Sequence, residues 1–366
     1  MEGVIYNFFK VWASVVASLG YCYTIGKFVP KGIARLLLVL PIVRLFFLLP
    51  LSIDSVNLSG MTGFFVAWLA NFKLLLFAFG KGPLATEDSL GSLPHFITVA
   101  CLPIKVQQKQ SQNGCKDKGT GEMKHQKGHR SSLNYALKVV VLVAMIRVYY
   151  YSDRIHPTII YLLYCIHIYF SLEITQASLA AVVQATLGIE LEPQFNEPYL
   201  STSLQDFWGR RWNLMVTSIL RPSVYEPVRK ALEQIIGQQW APLPAVLATF
   251  LVSGLMHEVL FFYQQESAQR AGPTWDITGF FLFHGMCLVA ELMAKKVVAR
   301  RWQPPRLLSG AVTSGFVIAT GLRWFIPALL RIEADKRALE EFGAVAAFVQ
   351  DSAQAVSVKI FNAVIV

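Results

Sequence analysis

Long apolar runs, separated by short polar turns, make up most of this chain. They occupy residues 4–25, 36–53, 58–80, 133–150, 158–188, 243–263, 276–294 and 307–330. A helix needs about 20 apolar residues to cross the hydrocarbon core of a membrane, and most of these runs are close to that length. The pattern predicts an all-α polytopic membrane protein with about eight or nine transmembrane helices.

The run at 158–188 is longer than a single crossing requires. Glu173 and Gln176 interrupt it, which favours one span followed by a short re-entrant or interfacial helix over residues 174–187. The charge distribution favours the same interpretation. With one crossing, Arg210 and Arg211 stay on the side of the membrane that holds the basic loop before residue 133.

That basic loop, residues 81–132, is the longest polar segment. Its part at 105–132 is rich in Gln, Lys, Gly and Ser and is predicted to be disordered, whereas residues 93–104 are predicted to be ordered. By the positive-inside rule we expect residues 81–132, 189–241 and 295–306 to face the cytosol. We treat residues 1–366 as one membrane-embedded domain, with its catalytic core region at 189–306.

A few charged residues lie within or beside the apolar runs. Lys10, Arg35 and Arg44 lie close enough to the ends of their runs that we expect them to snorkel to the interface. Lys73 lies well inside its run, and the sequence does not decide between the interior of the helix bundle and the membrane interface.

Composition agrees with the membrane assignment. Of the 366 residues, 54% are hydrophobic and 15% are charged, with a mean hydropathy of +0.46; a soluble domain has roughly a quarter charged residues. The net charge of +10 comes mostly from loops between apolar runs, so it indicates membrane orientation rather than nucleic-acid binding. The five cysteines show no paired spacing, which argues against a disulfide framework and against a zinc site, and no metal is predicted.

The polar, aromatic and doubly basic stretch at 198–213 stands out among these runs. Ser203 followed by Asp206 resembles a capping box, so we expect a helix that begins there and continues past Asn213. At 100° per residue its apolar face holds Leu204, Trp208, Trp212, Met215 and Ile219. Its polar face holds Asp206, Arg210, Asn213 and Thr217, beside open space at Gly209. Such a helix is either an interfacial anchor or the wall of a wet cavity.

His257 is the histidine with the most suggestive surroundings. It lies inside an apolar run, and Ser253 and Gly254 precede it by one helical turn, where their small side chains would leave a hollow beside the imidazole. An ionisable residue inside a membrane indicates a functional site, and a buried neutral imidazole can act as a base. The alternative is a core histidine bonded to a neighbouring helix. His167 and His284, also inside runs, favour that alternative more strongly.

Two motifs together resemble the plant wax synthase branch of the membrane-bound O-acyltransferases. They are Phe-Trp-Gly-Arg-Arg-Trp-Asn at 207–213 and Ser-Gly-Leu-Met-His-Glu at 253–258, with further similarity at 68–76, 93–96 and 193–199. The resemblance implies a helical bundle that encloses a tunnel, in a multi-pass enzyme of the endoplasmic reticulum that joins a fatty acyl-CoA to a hydroxyl. It also implies that His257 and Asn213 are the catalytic residues. Arg210 and Arg211 stand where the sterol and diacylglycerol branches carry an acidic residue, so the role of that acid is not transferred.

The chemistry expected from this resemblance needs a base and an oxyanion donor. His257 would remove the alcohol proton, Asn213 would donate to the oxyanion, and the guanidinium groups would meet the CoA phosphates. The residues predicted to bind substrate are Trp208, Arg210, Arg211, Trp212, Ser253 and Glu258. No cofactor is expected beyond acyl-CoA as co-substrate. The expected acceptor is a long-chain alcohol, with a sterol as the alternative; a transporter or scaffold is less favoured, because no internal repeat is visible.

Overall fold

The computed structural model describes residues 2–102, 132–188, 191–266, 270–297 and 305–365, and every regular element in these ranges is helical. The α-helices in chain order are α1 Glu2–Phe28, α2 Ile33–Leu48, α3 Val56–Thr62, α4 Asn71–Ala78, α5 Glu87–Gly91, α6 Leu93–Cys101, α7 Ser132–Tyr149, α8 Pro157–Leu187, α9 Leu204–Asp206, α10 Leu214–Leu220, α11 Glu226–Ile236, α12 Pro242–Gln264, α13 Asp276–Val297, α14 Arg306–Thr320, α15 Ile326–Arg331 and α16 Ala334–Ile365. The predicted disordered loop at 105–132 lies, apart from its last residue, outside the described residues. The order predicted for residues 93–104 is confirmed by α6 as far as Leu102.

Seven helical segments in the described ranges are long and apolar enough to cross a membrane. They are Gly3–Phe28, Ile33–Ser52, Val56–Ala78, Pro157–Leu187, Pro242–Gln264, Asp276–Lys296 and Arg306–Arg331. The prediction of an all-α polytopic membrane protein is therefore confirmed. The helix that fills the predicted run at 133–150, α7, is not among the seven, so a total of eight or nine spans stays a prediction.

Residue contacts divide the chain into two compact units. One comprises residues 1–103 and 195–366, and the other comprises residues 104–194. Both motifs and His257 belong to the first unit, and α7 and α8 form a helical hairpin in the second. Their action as one enzyme domain stays a prediction.

In the second unit, α8 is a single helix without a break. Its 31 residues correspond to about 46 Å, longer than the hydrocarbon core, and Gly188 ends it in a left-handed conformation (φ 65°). The predicted separate helix at 174–187 is therefore wrong. The carboxylate of Glu173 does not interrupt the helix, because the ammonium of Lys138 on α7 lies 2.8 Å from it and both side chains are buried.

Buried cations in the first unit bind the carbonyl ends of helices. Arg35 donates to the Val29 carbonyl at 2.6 Å, just beyond the end of α1, so the expectation that it snorkels is wrong. Lys73 is fully buried and donates from Nζ to the carbonyls of Val99 at 2.6 Å and Leu102 at 2.7 Å, at the end of α6. The last carbonyls of a helix have no partners within it and carry partial negative charge, so a buried cation is stabilised there.

The third apolar segment packs closely against α12. It runs through α3, a π-helical stretch at Gly63–Ala70 and α4. A methyl group added at Gly63 would lie 2.6 Å from the Tyr263 ring, and the Ser59 hydroxyl donates to the Tyr263 carbonyl at 3.0 Å. This close approach places the side chains of the π-helical stretch beside the middle of α12, where His257 lies.

Candidate active site

One ring nitrogen of His257 is bound and the other is free. Nδ1 lies 2.7 Å from the Ser253 carbonyl oxygen, one turn earlier on α12. A carbonyl oxygen only accepts hydrogen bonds, so Nδ1 carries the proton of the neutral ring and Nε2 presents a lone pair. Nε2 has no hydrogen-bond partner among the described residues. The geometry therefore leaves His257 able to accept a proton.

Aromatic rings surround the imidazole of His257. Phe281 of α13 stacks on it with ring centroids 4.3 Å apart, and Trp68 meets it edge-on at 4.9 Å. Phe325 makes a further edge contact at 6.3 Å. These contacts fix the plane of the ring and restrict water around it.

The expected hollow beside His257 is filled by α13, so that part of the sequence interpretation is wrong. A methyl group added at Gly254 would lie 2.9 Å from the Thr278 Cα atom, which shows that the glycine seats α13. Glu258 is buried, and its carboxylate accepts the Thr278 backbone N–H at 3.1 Å, near the start of α13. Thus Ser253 binds His257 through its carbonyl and Glu258 binds α13. Their predicted contacts with substrate stay predictions.

A helix begins after Ser203 as predicted, but it is short. The Ser203 hydroxyl accepts the Asp206 N–H at 3.1 Å, which confirms the predicted cap. After α9 comes a π-helical turn at Phe207–Arg211, and Trp212 is extended (φ −98°, ψ 124°). The predicted continuous helix is therefore wrong, because the Trp212 ring turns back to stack on Phe207 at 5.4 Å.

Asn213 restarts the helix rather than lying within it. It adopts the left-handed conformation (φ 40°), which asparagine tolerates better than most residues, and its Oδ1 accepts the Val216 N–H at 3.5 Å as the cap of α10. Its amide nitrogen has no partner among the described residues. Val216 packs in one cluster with Trp68 and with Met256, the neighbour of His257. Residues close in sequence to each predicted catalytic residue therefore pack in one cluster, and no hydrogen bond joins Asn213 to His257.

Trp208 and His284 form a hydrogen-bonded pair. The indole N–H donates to His284 Nδ1 at 3.2 Å, and His284 Nε2 lies 2.8 Å from the Thr320 hydroxyl, which itself donates to a carbonyl of its own helix. Both nitrogens of this fully buried ring are thus committed, as the core-histidine interpretation expects. Trp208 also packs on Phe281, the ring that stacks on His257, and so links the two motifs.

The two adjacent arginines differ in their surroundings. Arg211 pairs with Asp206 at 2.8 Å and donates to the carbonyls of Asn196 and Glu197 at 3.2 and 3.3 Å. Arg210 is exposed and makes no hydrogen bond or ion pair with the described residues. Only Arg210 is therefore free to meet a phosphate, while Arg211 holds the segment before the motif.

Sequence reasoning missed the residues that surround His257. Trp68 belongs to a segment that resembles the family, but that signal gave it no role, and Phe281 and Phe325 carried no signal. Within the described ranges, no group of three or more His, Cys, Asp or Glu side chains is placed to hold a metal ion. Catalysis without a metal stays a prediction.

Comparison with known proteins gives consistent matches. The profile of the membrane bound O-acyl transferase family matches residues 191–283. The chain is 46% identical to acyl-CoA–sterol O-acyltransferase 1 of Arabidopsis thaliana over 342 residues, 93% of this chain and 96% of that protein. It is 44% identical to the long-chain-alcohol O-fatty-acyltransferase of Simmondsia chinensis over 343 residues, 93% and 95% of the two chains. It is also 42% identical to probable long-chain-alcohol O-fatty-acyltransferase 1 of Arabidopsis thaliana, over 93% and 96%.

Proposed function

Because this chain belongs to the membrane bound O-acyl transferase family, we propose that it is an acyl-CoA-dependent O-acyltransferase that esterifies a long-chain alcohol to a wax ester. The name of one relative supports the acyl-CoA donor, and the names of two others support the bond formed and the class of acceptor. We assign it to the endoplasmic-reticulum membrane, as the family resemblance implies, and the apolar spans would provide the tunnel for the two lipid substrates.

The observation that carries the proposal is the free Nε2 of His257. Its neighbour Nδ1 is held by the Ser253 carbonyl, so the ring cannot present its protonated nitrogen in place of the lone pair. A general base must meet the hydroxyl that it deprotonates, and a fixed neutral imidazole suits that task. The aromatic rings around it suit the apolar substrates.

The transfer then proceeds in balanced steps. As the alcohol oxygen attacks the thioester carbon, its proton moves to His257 Nε2 and the carbonyl electron pair moves onto oxygen. Asn213, through its free amide nitrogen, donates to that oxyanion. Collapse breaks the C–S bond and expels the CoA thiolate, which takes the proton from the imidazolium and leaves the enzyme neutral again. A thiolate is a good leaving group, so no covalent enzyme intermediate is needed.

Acyl-CoA is expected to enter past Arg210. The exposed guanidinium is the free cation of the motif, and arginine forms bidentate contacts with phosphate. Arg211, which the sequence paired with it, contributes by bracing residues 196 and 197.

A sterol is the second candidate acceptor. A specific observation favours it, because the relative at 46% identity is named as a sterol O-acyltransferase. The chemistry at His257 is the same for both hydroxyls, so acceptor choice depends on the shape of the tunnel rather than on the catalytic residues.

Expression in a yeast that lacks its own neutral-lipid acyltransferases tests the proposal. Cells fed a long-chain alcohol should accumulate wax esters, and cells relying on endogenous sterol should accumulate little steryl ester. Accumulation of steryl ester without wax ester would show that the acceptor is a sterol and not a long-chain alcohol. The absence of both products from cells with verified membrane expression would leave a transporter or scaffold.

A further inference from the structure

Trp68 contacts His257 and has no assigned function. Its side chain is 1% exposed, and its ring lies edge-on to the imidazole with centroids 4.9 Å apart. The indole N–H is buried and has no hydrogen-bond partner among the described residues. An indole N–H only donates, so the group that satisfies it must offer an acceptor atom.

Leaving such a donor buried and unpaired destabilises the folded protein, because the hydrogen bond that the group makes with water is lost without replacement. Trp208, the other indole of this aromatic cluster, donates its N–H to His284. The unpaired donor at Trp68 lies against the ring of His257, whose Nε2 is free for the substrate hydroxyl, which indicates that the acceptor arrives with the substrate.

The backbone around Trp68 is built to hold the ring in place. Trp68 lies in the π-helical stretch Gly63–Ala70, and π-helical turns within longer helices are frequent at functional sites. One end is fixed by Gly63, where α12 leaves no room for a side chain. The other is fixed by Asn71, which donates to the Val43 carbonyl at 3.1 Å.

We propose that the indole N–H of Trp68 donates to the carbonyl oxygen of the acyl group and stabilises the oxyanion together with Asn213. This role rests on the acyl transfer proposed above. When the alcohol oxygen bonds to the thioester carbon, the C=O pair moves to oxygen, and the N–H binds the charge that develops there. The bond weakens again when the C–S bond breaks and the carbonyl re-forms.

The position of the ring fits this assignment. The attacking oxygen must lie within hydrogen-bond reach of His257 Nε2, and the carbonyl oxygen is bonded to the carbon under attack. The developing charge therefore lies within a few ångströms of the imidazole, which is the region that Trp68 borders. Asn213 uses its Oδ1 to cap α10, which leaves its amide nitrogen to donate to the oxyanion. The Trp68 N–H would be a second donor to the same oxygen.

The test is Trp68→Phe, which keeps an aromatic ring against His257 and removes the N–H. The matched control is Trp12→Phe on α1. In the part of the chain that the structure describes, Trp12 also has a buried indole N–H without a partner, but its ring contacts Phe8 instead. Initial rates would be measured for the purified full-length enzyme in lipid nanodiscs, over a range of acyl-CoA and hexadecanol concentrations, together with Tm.

We expect Trp68→Phe to lower kcat by at least about tenfold with little change in either KM, and Trp12→Phe to leave kcat unchanged. Wild-type kcat in Trp68→Phe, or an equal loss in both variants, would overturn the proposal. A rise in the KM for the alcohol alone would overturn it too, because the N–H would then bind the hydroxyl in the ground state. If Tm falls sharply, Trp68→Met gives a second variant that has no hydrogen-bond donor at this position. An inactive wild-type enzyme would instead count against the proposed acyl transfer, so the two failures are distinct.

Discussion

Replacing His257 by alanine should separate catalysis from stability. General-base catalysis contributes about 10²–10⁴ in rate, so we expect His257→Ala to lower kcat by at least about a hundredfold. The hydrogen bond lost is the one to the Ser253 carbonyl within the same helix, and no bond to another helix is broken. The cost to folding is the lost packing on Phe281 and Trp68, about 1–3 kcal/mol for a half-buried ring.

His284→Ala is the matched control, because it removes the same side chain from a fully buried site. It would leave the Trp208 indole unpaired and would remove a partner of the Thr320 hydroxyl. The unpaired indole donor costs about 1–3 kcal/mol, and the cavity left by the ring adds to that cost. The free energy of unfolding should therefore fall by about 3–5 kcal/mol. The rate of the folded fraction should change far less than in His257→Ala.

The assay is the initial rate of ester formation with saturating acyl-CoA and hexadecanol, on purified protein, at a temperature well below the Tm of each variant. Binding of a non-hydrolysable acyl-CoA analogue confirms that each variant is folded. If His257→Ala keeps more than about a tenth of the wild-type kcat while it binds the analogue, His257 is a packing residue and the general-base assignment is wrong.

Three further substitutions test other parts of the site. Arg210→Gln should raise the KM for acyl-CoA several-fold and leave the KM for the alcohol unchanged, whereas Arg211→Gln should mainly lower Tm; equal KM effects of the two would contradict their different surroundings. Asn213→Ala should lower kcat by about 10²–10³, the value of one oxyanion donor, and a lower Tm with unchanged kcat would show that it only caps α10. Gly254→Ala should destabilise the protein by about 1–3 kcal/mol, because the added methyl meets the backbone of α13, while Gly279→Ala, with open space around it, should not; similar Tm values for the two would refute the close contact.

The membrane class and most span positions could be predicted from local sequence, because length and hydropathy alone decide them. The helix cap at Ser203 was also predictable, since a cap involves residues only three apart. The break at Trp212 was not. The residues on both sides of Trp212 fit the 100° periodicity of one helix. The helix ends there because Trp212 stacks on Phe207 and Asn213 adopts a left-handed conformation.

Errors elsewhere came from partners distant in sequence. In the sequence Glu173 indicates a break in the helix, but in the structure it pairs with Lys138 on the preceding helix. The sequence places Arg35 at the membrane interface, but in the structure its guanidinium donates to the Val29 carbonyl. His257 was identified from its own segment, but Trp68 beside it comes from the third span, and no local pattern joins the two.

The burial of Lys73 also constrains how the protein is made. Its amino group sits inside the third span, and the carbonyls that bind it come from Val99 and Leu102 at the end of α6. During synthesis these partners emerge after Lys73, and until α6 has formed the charged group needs water or another polar neighbour. The burial of this amino group therefore couples the final placement of the third span to the folding of α6.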